Sequence, residues 1–213
     1  MMIHVIPGLG MDSNVFLVEN RGETVVVDAG MDSTAEYVLA SLGKLLGGAK
    51  PKALVLTHMH IDHVGGAAAI AREYSCEVVM HEKDADAIVK GDPVRTGAAM
   101  FGGSVEPLKV RKLAEGDKVA GMEVIHTPGH TIGSMCLYDS KSKSLISGDT
   151  VFRDGVGRWD LPTGNVKSLH ESVARLAAMD VEGLYPGHGD VAERGGGRHI
   201  ANDQRYLESF GGF

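Results

Sequence analysis

The sequence predicts an α/β fold made of two similar halves, each running strands first and helices after. Three observations predict it. Short runs rich in Val, Ile and Leu have strand length and lie between stretches with helical spacing of apolar residues. The order strands–helices recurs in the second half of the chain. Imidazoles and carboxylates gather where strand runs stop, as expected if two facing sheets with outer helices bring their loops to one edge. At 213 residues the chain is long enough for a self-sufficient core, and residues 1–213 are expected to form a single domain.

The elements follow in order. Val15–Val18 and Thr24–Val27 are β-rich, and Asn20-Arg21-Gly22 between them reads as a hairpin turn. Ser33-Thr34-Ala35-Glu36 has the spacing of a capping box. It is expected to open a helix with Val38, Leu39, Leu42, Leu45 and Leu46 on one face, stopped by Gly47-Gly48. A buried strand over 53–57 comes next. Gly65-Gly66-Ala67 starts a helix to about Tyr74, Val78–Met80 is a strand, and Glu82–Lys90 a short helix. Residues 91–108, rich in Gly and small side chains, read as a loop or lid.

In the second half, strand signals lie at Lys118-Val119, Met122–His126, Ser134–Tyr138 and Ser144–Ser147, the last two joined by a hairpin turn over 140–143. A helix is expected over Val166–Met179, a short strand at Gly183–Tyr185, a linker at Gly195-Gly196-Gly197, and a last helix over about Arg198–Ser209.

Net charge of −7 and a pI near 5.8 argue against a nucleic-acid or anionic-membrane surface. No apolar run approaches the ~20 residues of a membrane span, and the N-terminus lacks a signal-peptide pattern. Cys76 and Cys136 form no CxxC pattern and read as small buried residues, so a cytoplasmic setting is expected.

The chemistry is concentrated in Thr57-His58-Met59-His60-Ile61-Asp62-His63, directly after the apolar run Ala53–Leu56. Neutral imidazole and carboxylate are the usual ligands of divalent transition ions. His58 and His60 at i and i+2 share one side of an extended segment, and Asp62 and His63 follow at a turn. His130 in Thr127-Pro128-Gly129-His130, Asp149 after Ser147-Gly148, and His188 in Pro186-Gly187-His188 occupy similar strand ends. Five histidines and two aspartates suffice for two ions. His4, His81, His126, His170 and His199 read as surface or hydrogen-bonded histidines.

This set, with its flanks Val27-Asp28-Ala29-Gly30, Val64-Gly65-Gly66 and Thr127–Thr131, resembles the metallo-β-lactamase fold superfamily over residues 13–190. Within it, Gly148–Phe152 and Gly157–Pro162 are similar to short, single-domain glyoxalase II-like (hydroxyacylglutathione hydrolase-like) enzymes. The resemblance implies an αβ/βα four-layer sandwich of two mixed β-sheets flanked by helices. It implies that His58, His60 and His130 hold one metal, Asp62, His63 and His188 a second, and that Asp149 bridges. Zn²⁺ is the first expectation, with Fe or Mn as alternatives.

The implied reaction is hydrolysis of a thioester such as an S-acyl glutathione, by a hydroxide shared between two ions. Asp62 is expected to orient that hydroxide, and Asp28 to fix a ligand histidine from behind. Arg158 and Trp159 are candidate substrate-binding residues. The chain departs from two-domain glyoxalase II enzymes in having only 25 residues after His188, and in Asp160 standing where a Tyr is expected. An Arg158–Asp160 ion pair is the competing reading of those two residues. The expected partner is a small thioester or ester, with no nucleic acid and no membrane, and the protein a monomer or homodimer. Competing functions are a mononuclear Fe(II) persulfide dioxygenase, a lactone or ester hydrolase, and a non-catalytic metal-holding interaction module.

Overall fold

A computed structural model of the chain describes residues 1–209. Its residues fall into two compact units, divided between Leu113 and Ala114. Each is a mixed β-sheet flanked by helices, the α/β architecture expected.

The first unit holds a six-stranded sheet in sequence order: β1 (Met2–Ile6), β2 (Val15–Asn20), β3 (Glu23–Val27), β4 (Ala53–Leu56), β5 (Glu77–His81) and β6 (Val110–Leu113). β1 to β3 pair antiparallel, and β3 to β6 parallel. The β2–β3 turn has φ of 51° at Arg21 and 80° at Gly22, the left-handed pair that matches strand twist. β4 is buried at every position, which explains its unbroken apolar run.

Helices α1 (Glu36–Leu46), α3 (Ala67–Tyr74) and α4 (Glu82–Lys90) join the parallel strands, with a one-turn helix α2 (Ile61–Val64) after β4. Leu42, Leu54, Leu56, Ile70, Met80 and Ile88 are fully buried in the core of this unit. Each contributes roughly 1.5–3 kcal/mol by leaving water.

Two expectations are corrected in this unit. Ser33 and Glu36 form no capping box: α1 starts after Ala35, which is left-handed at φ 51°, with no side-chain cap. Asp32 does the capping work, accepting from Thr34 N at 3.0 Å, Thr34 Oγ1 at 2.6 Å and Glu36 N at 3.4 Å. Leu45 points to solvent, because the buried stripe runs Val38–Leu42–Leu46 at i+4. Residues 91–108 contain a 3₁₀ turn (Ala98–Phe101) in an otherwise irregular loop.

The second unit holds a five-stranded sheet ordered β11-β10-β9-β8-β7. Its strands are β7 (Lys118–Val119), β8 (Met122–His126), β9 (Met135–Asp139), β10 (Ser144–Gly148) and β11 (Gly183–Pro186), antiparallel except for β10–β11. Helix α5 (Val166–Ala177) is capped by Asn165, whose side chain accepts from Ser168 N at 2.9 Å. Its buried face, Leu169, Val173 and Leu176, shares a core with Leu145, Leu184, Ile200 and Leu207. Helix α6 spans Gly196–Ser209, so Gly196 and Gly197 belong to its first turn and not to a linker. A side chain at Gly196 would press on Leu184 and the Glu182 carbonyl, which is why the helix starts on glycine.

Both cysteines are free, and burial pushes the Cys136 thiol up to about 11. Among the described residues, no helix is long and apolar enough to cross a membrane.

Asp203 on α6 is almost fully buried, and burial raises its carboxyl to about 7, aided by the charge of Asp154 and opposed by the Gly155 N–H. A carboxyl whose folded value exceeds its unfolded one contributes stability at low pH and loses it as pH rises through the folded value. Asp203→Asn is therefore expected to gain about 2–3 kcal/mol relative to the parent between pH 5 and pH 8, read from urea midpoints. A pH-independent difference contradicts this.

Candidate metal centre

In the first unit, β4 runs directly into Thr57-His58-Met59-His60 and then α2. Alternation sends Met59 into the core and His58 and His60 to the other side, with ring centroids 4.9 Å apart. The Met59 N–H between them donates to Asp84 Oδ2 at 3.1 Å, and Asp84 is fully buried on α4. The one-turn helix then swings His63 back, its ring centroid 4.1 Å from that of His58.

Asp28 organises this set. It leaves β3 in the left-handed region at φ 63°, tolerable for Asp, and is wholly buried. Oδ1 accepts from Thr57 N at 2.8 Å. Oδ2 accepts from Thr57 Oγ1 at 2.9 Å and lies 2.8 Å from His63 Nδ1. A carboxylate only accepts, so His63 carries its proton on Nδ1 and turns a lone pair on Nε2 outward. The Thr57 hydroxyl has given its one proton to Asp28, so it accepts from His58 Nδ1 at 3.1 Å. His58 likewise presents Nε2. One carboxylate thus sets two tautomers. Asp62 Oδ2 stands 3.8 Å from His63 Nε2, and its side chain keeps a quarter of its surface open.

In the second unit, β8 ends in Thr127-Pro128-Gly129-His130. His130 Nδ1 donates to the carbonyl of Arg158 at 2.7 Å, which again frees Nε2. Asp149 follows β10, and His188 follows β11 after Gly187, whose N–H donates to the Gly148 carbonyl at 2.8 Å. Asp149 Oδ2 lies 3.6 Å from His130 Nε2 and 3.6 Å from His188 Nε2. Gly157 allows the close approach: a Cβ there would sit 1.9 Å from the Asp149 carbonyl oxygen and 3.0 Å from His130 Nδ1.

These residues fit a divalent transition ion. Separations of 3.6, 3.6 and 3.8 Å are too long for hydrogen bonds. They are close to the ~3.4 Å between two ligands that sit about 2.1 Å from one tetrahedral ion. Imidazole lone pairs and carboxylates, with Nδ1 protons fixed from behind, are the donor set such ions take.

Gly129 has φ of 143°, and a Cβ there would lie 2.3 Å from Leu169 Cα. Gly129→Ala is expected to cost about 3 kcal/mol or more, read as a drop in urea midpoint; an unchanged midpoint contradicts the packing.

Of the candidate substrate residues, Arg158 is exposed and holds Asp160 with two bonds of 2.9 Å, the ion-pair reading. It reaches the centre only through its main chain. Trp159 is half-buried against the core of its unit. Asp84, the Thr57 hydroxyl as a relay and the Arg158 carbonyl carry no local pattern that would mark them in the sequence.

Residues 8–188 match the model of the metallo-beta-lactamase superfamily. A probable metallo-hydrolase of Methanocaldococcus jannaschii is 35% identical over 203 residues, covering 91% of this chain and 95% of that protein. An acyl-coenzyme A thioesterase of Gallus gallus is 33% identical over 209 residues, covering 84% and 73%. A solved structure in a di-iron-bound form superposes with a TM-score of 0.82 at 32% identity, covering 95% of this chain and 99% of the other. On its sequence, its sheets and its histidine–aspartate sets, the chain belongs to the metallo-β-lactamase superfamily of metal-dependent hydrolases.

Proposed function

We propose that residues 1–213 act as one catalytic domain whose two histidine–aspartate sets together hold two divalent ions and hydrolyse a thioester. His58, His60 and His130 would hold one ion, Asp62, His63 and His188 the other, and Asp149 would be shared between them. The observation that carries the reading is Asp149 Oδ2, equidistant from two imidazole nitrogens at a spacing of co-ligands. The relatives include an acyl-coenzyme A thioesterase, which supports a thioester in particular.

When bound, the ions lower the pKa of water towards ~7 and polarise a carbonyl. The chain supplies the rest. Asp62, the more open carboxylate, orients the attacking water and accepts its proton. Asp28, Thr57 and the Arg158 carbonyl keep three imidazoles from rotating or changing tautomer during turnover. Water's oxygen joins the carbonyl carbon, the C–S bond breaks, and the products are a carboxylate and a thiol. A thiolate leaves without a strong general acid, and none is required of the site. We take the ions as zinc, with iron or manganese as alternatives, the thiol carrier as glutathione or coenzyme A, and the location as cytoplasmic.

The test is anaerobic purification with elemental analysis, then assays on one sample with S-lactoylglutathione, acetyl-coenzyme A, an aryl ester, a lactone and glutathione persulfide. About two ions per chain with thioester turnover are expected. Protein holding two ions that cleaves no thioester overturns the reading. So does one iron per chain with oxygen consumed on the persulfide.

A further inference from the structure

Two loops of the first unit carry large apolar side chains in water. Leu9 and Met11 are 58% and 60% exposed on the loop between β1 and β2. Val94, Met100 and Phe101 are 61%, 64% and 51% exposed on the loop after α4. Scattered surface apolar residues need no explanation, but five on two loops tied to one short element do.

Both loops are fastened to α2, the turn that carries Asp62 and His63. Ser13 N donates to the Asp62 carbonyl at 3.1 Å, two residues from Met11. Ile61 N donates to the Thr96 carbonyl at 2.8 Å, two residues from Val94 and four from Met100. The loops are built from within: Met31 N donates to Asp12 Oδ1 at 2.8 Å, and Asp92 Oδ1 accepts from Val94 N and Arg95 N. Buried Thr96 and Ala98 anchor the second loop, so the exposed neighbours are held out by ordered backbone.

The character of these loops selects the occupant. Residues 96–105 contain no charged side chain, Arg95 beside Val94 is turned away to donate from Nη2 to the Lys83 carbonyl at 3.1 Å, and residues 7–14 contain one charge, Asp12, whose carboxylate already serves Met31. Neither stretch offers a cation for a phosphate or carboxylate. Methionine side chains are flexible and adapt to chains of varied shape.

We propose that Leu9, Met11, Met100 and Phe101, with Val94, form a platform for the acyl chain of the substrate, so that the enzyme prefers medium-length fatty acyl thioesters to short polar ones. The proposal rests on the thioesterase reading and specifies its acyl side.

A chain lying on a platform is shielded on one side, so each methylene is expected to improve recognition about twofold, half of full burial. With the carrier held constant, kcat/KM is expected to rise about 50-fold from acetyl to octanoyl, chiefly through KM. Met11→Ser combined with Phe101→Ser is expected to reduce that octanoyl-to-acetyl ratio to below about fivefold. Leu45→Ser, an exposed apolar residue of α1, is expected to leave the ratio intact. Calorimetry with the S-methyl, S-hexyl and S-decyl thioethers of glutathione and of coenzyme A gives a readout without turnover. Affinity should rise with tail length in the parent and not in the double variant.

The outcomes separate. Thioesters hydrolysed at rates independent of chain length overturn the platform and leave the thioesterase reading standing. Thioethers that bind in proportion to tail length, with no thioester cleaved, overturn the thioesterase reading and keep the platform. If sedimentation shows that Phe101→Ser turns a dimer into a monomer, a second copy of the chain covers these residues, and the proposal falls.

Discussion

Asp149→Ala is expected to lower thioester kcat/KM by about 10³-fold or more, equivalent to about 4 kcal/mol of transition-state stabilisation, and to cut bound metal to one ion per chain or fewer. The residue sits between two imidazoles, each 3.6 Å away, and is, among the described residues, the carboxylate placed to serve both. Without it, His130 keeps its tether to the Arg158 carbonyl and His188 keeps its turn, so the polypeptide folds while its charge balance fails. His60→Ala is expected to behave alike, since its backbone neighbour Met59 remains pinned by Asp84. Steady-state kinetics with elemental analysis of purified, folded variants decides it. A near-normal rate in either variant contradicts the assigned roles.

The second large effect is on Asp28, and two substitutions separate its duties. Asp28→Ala leaves the buried Thr57 N–H, the Thr57 hydroxyl and His63 Nδ1 without their acceptor. A loss of about 3–5 kcal/mol of stability is expected, with an added cost from alanine at φ 63°.

Asp28→Asn keeps the shape, and asparagine tolerates that φ. Its carbonyl can still accept from Thr57 N, but its NH₂ now faces the histidine. His63 must then accept at Nδ1 and carry its proton on Nε2, the nitrogen a metal needs. The expected result is a modest stability loss with metal affinity down 10- to 100-fold. Urea unfolding of both variants beside a competitive chelator titration tests this. Equal metal affinity in Asp28→Asn and the parent contradicts the tautomer relay.

Much of the fold was legible because its signals are local. The Arg21-Gly22 hairpin, the Gly47 stop and the unbroken apolar β4 each follow from backbone sterics or two-sided burial. β1 and β6 were not legible. They lie on the rims of the first sheet, and neither shows the alternation of a half-buried strand. The capping box failed because Asp32, one residue earlier, offers a carboxylate that bonds more donors than Ser33 can. In the candidate centre, the histidine and aspartate types stood out at once. Of their supports, Asp28 was expected from the resemblance, but Asp84 and the Thr57 relay were not: Asp84 lies 25 positions from the amide it accepts from, and Thr57 lies 29 from Asp28. Such pairings exist only once the parallel strands are in register.

The hold on His130 differs in kind from the hold on His58 and His63. A peptide oxygen at position 158 does it, and every amino acid supplies one. Exchange of the Arg158 side chain therefore leaves that imidazole's orientation untouched, whereas exchange at position 28 does not. The side chain at position 158 can therefore change without altering how His130 is held.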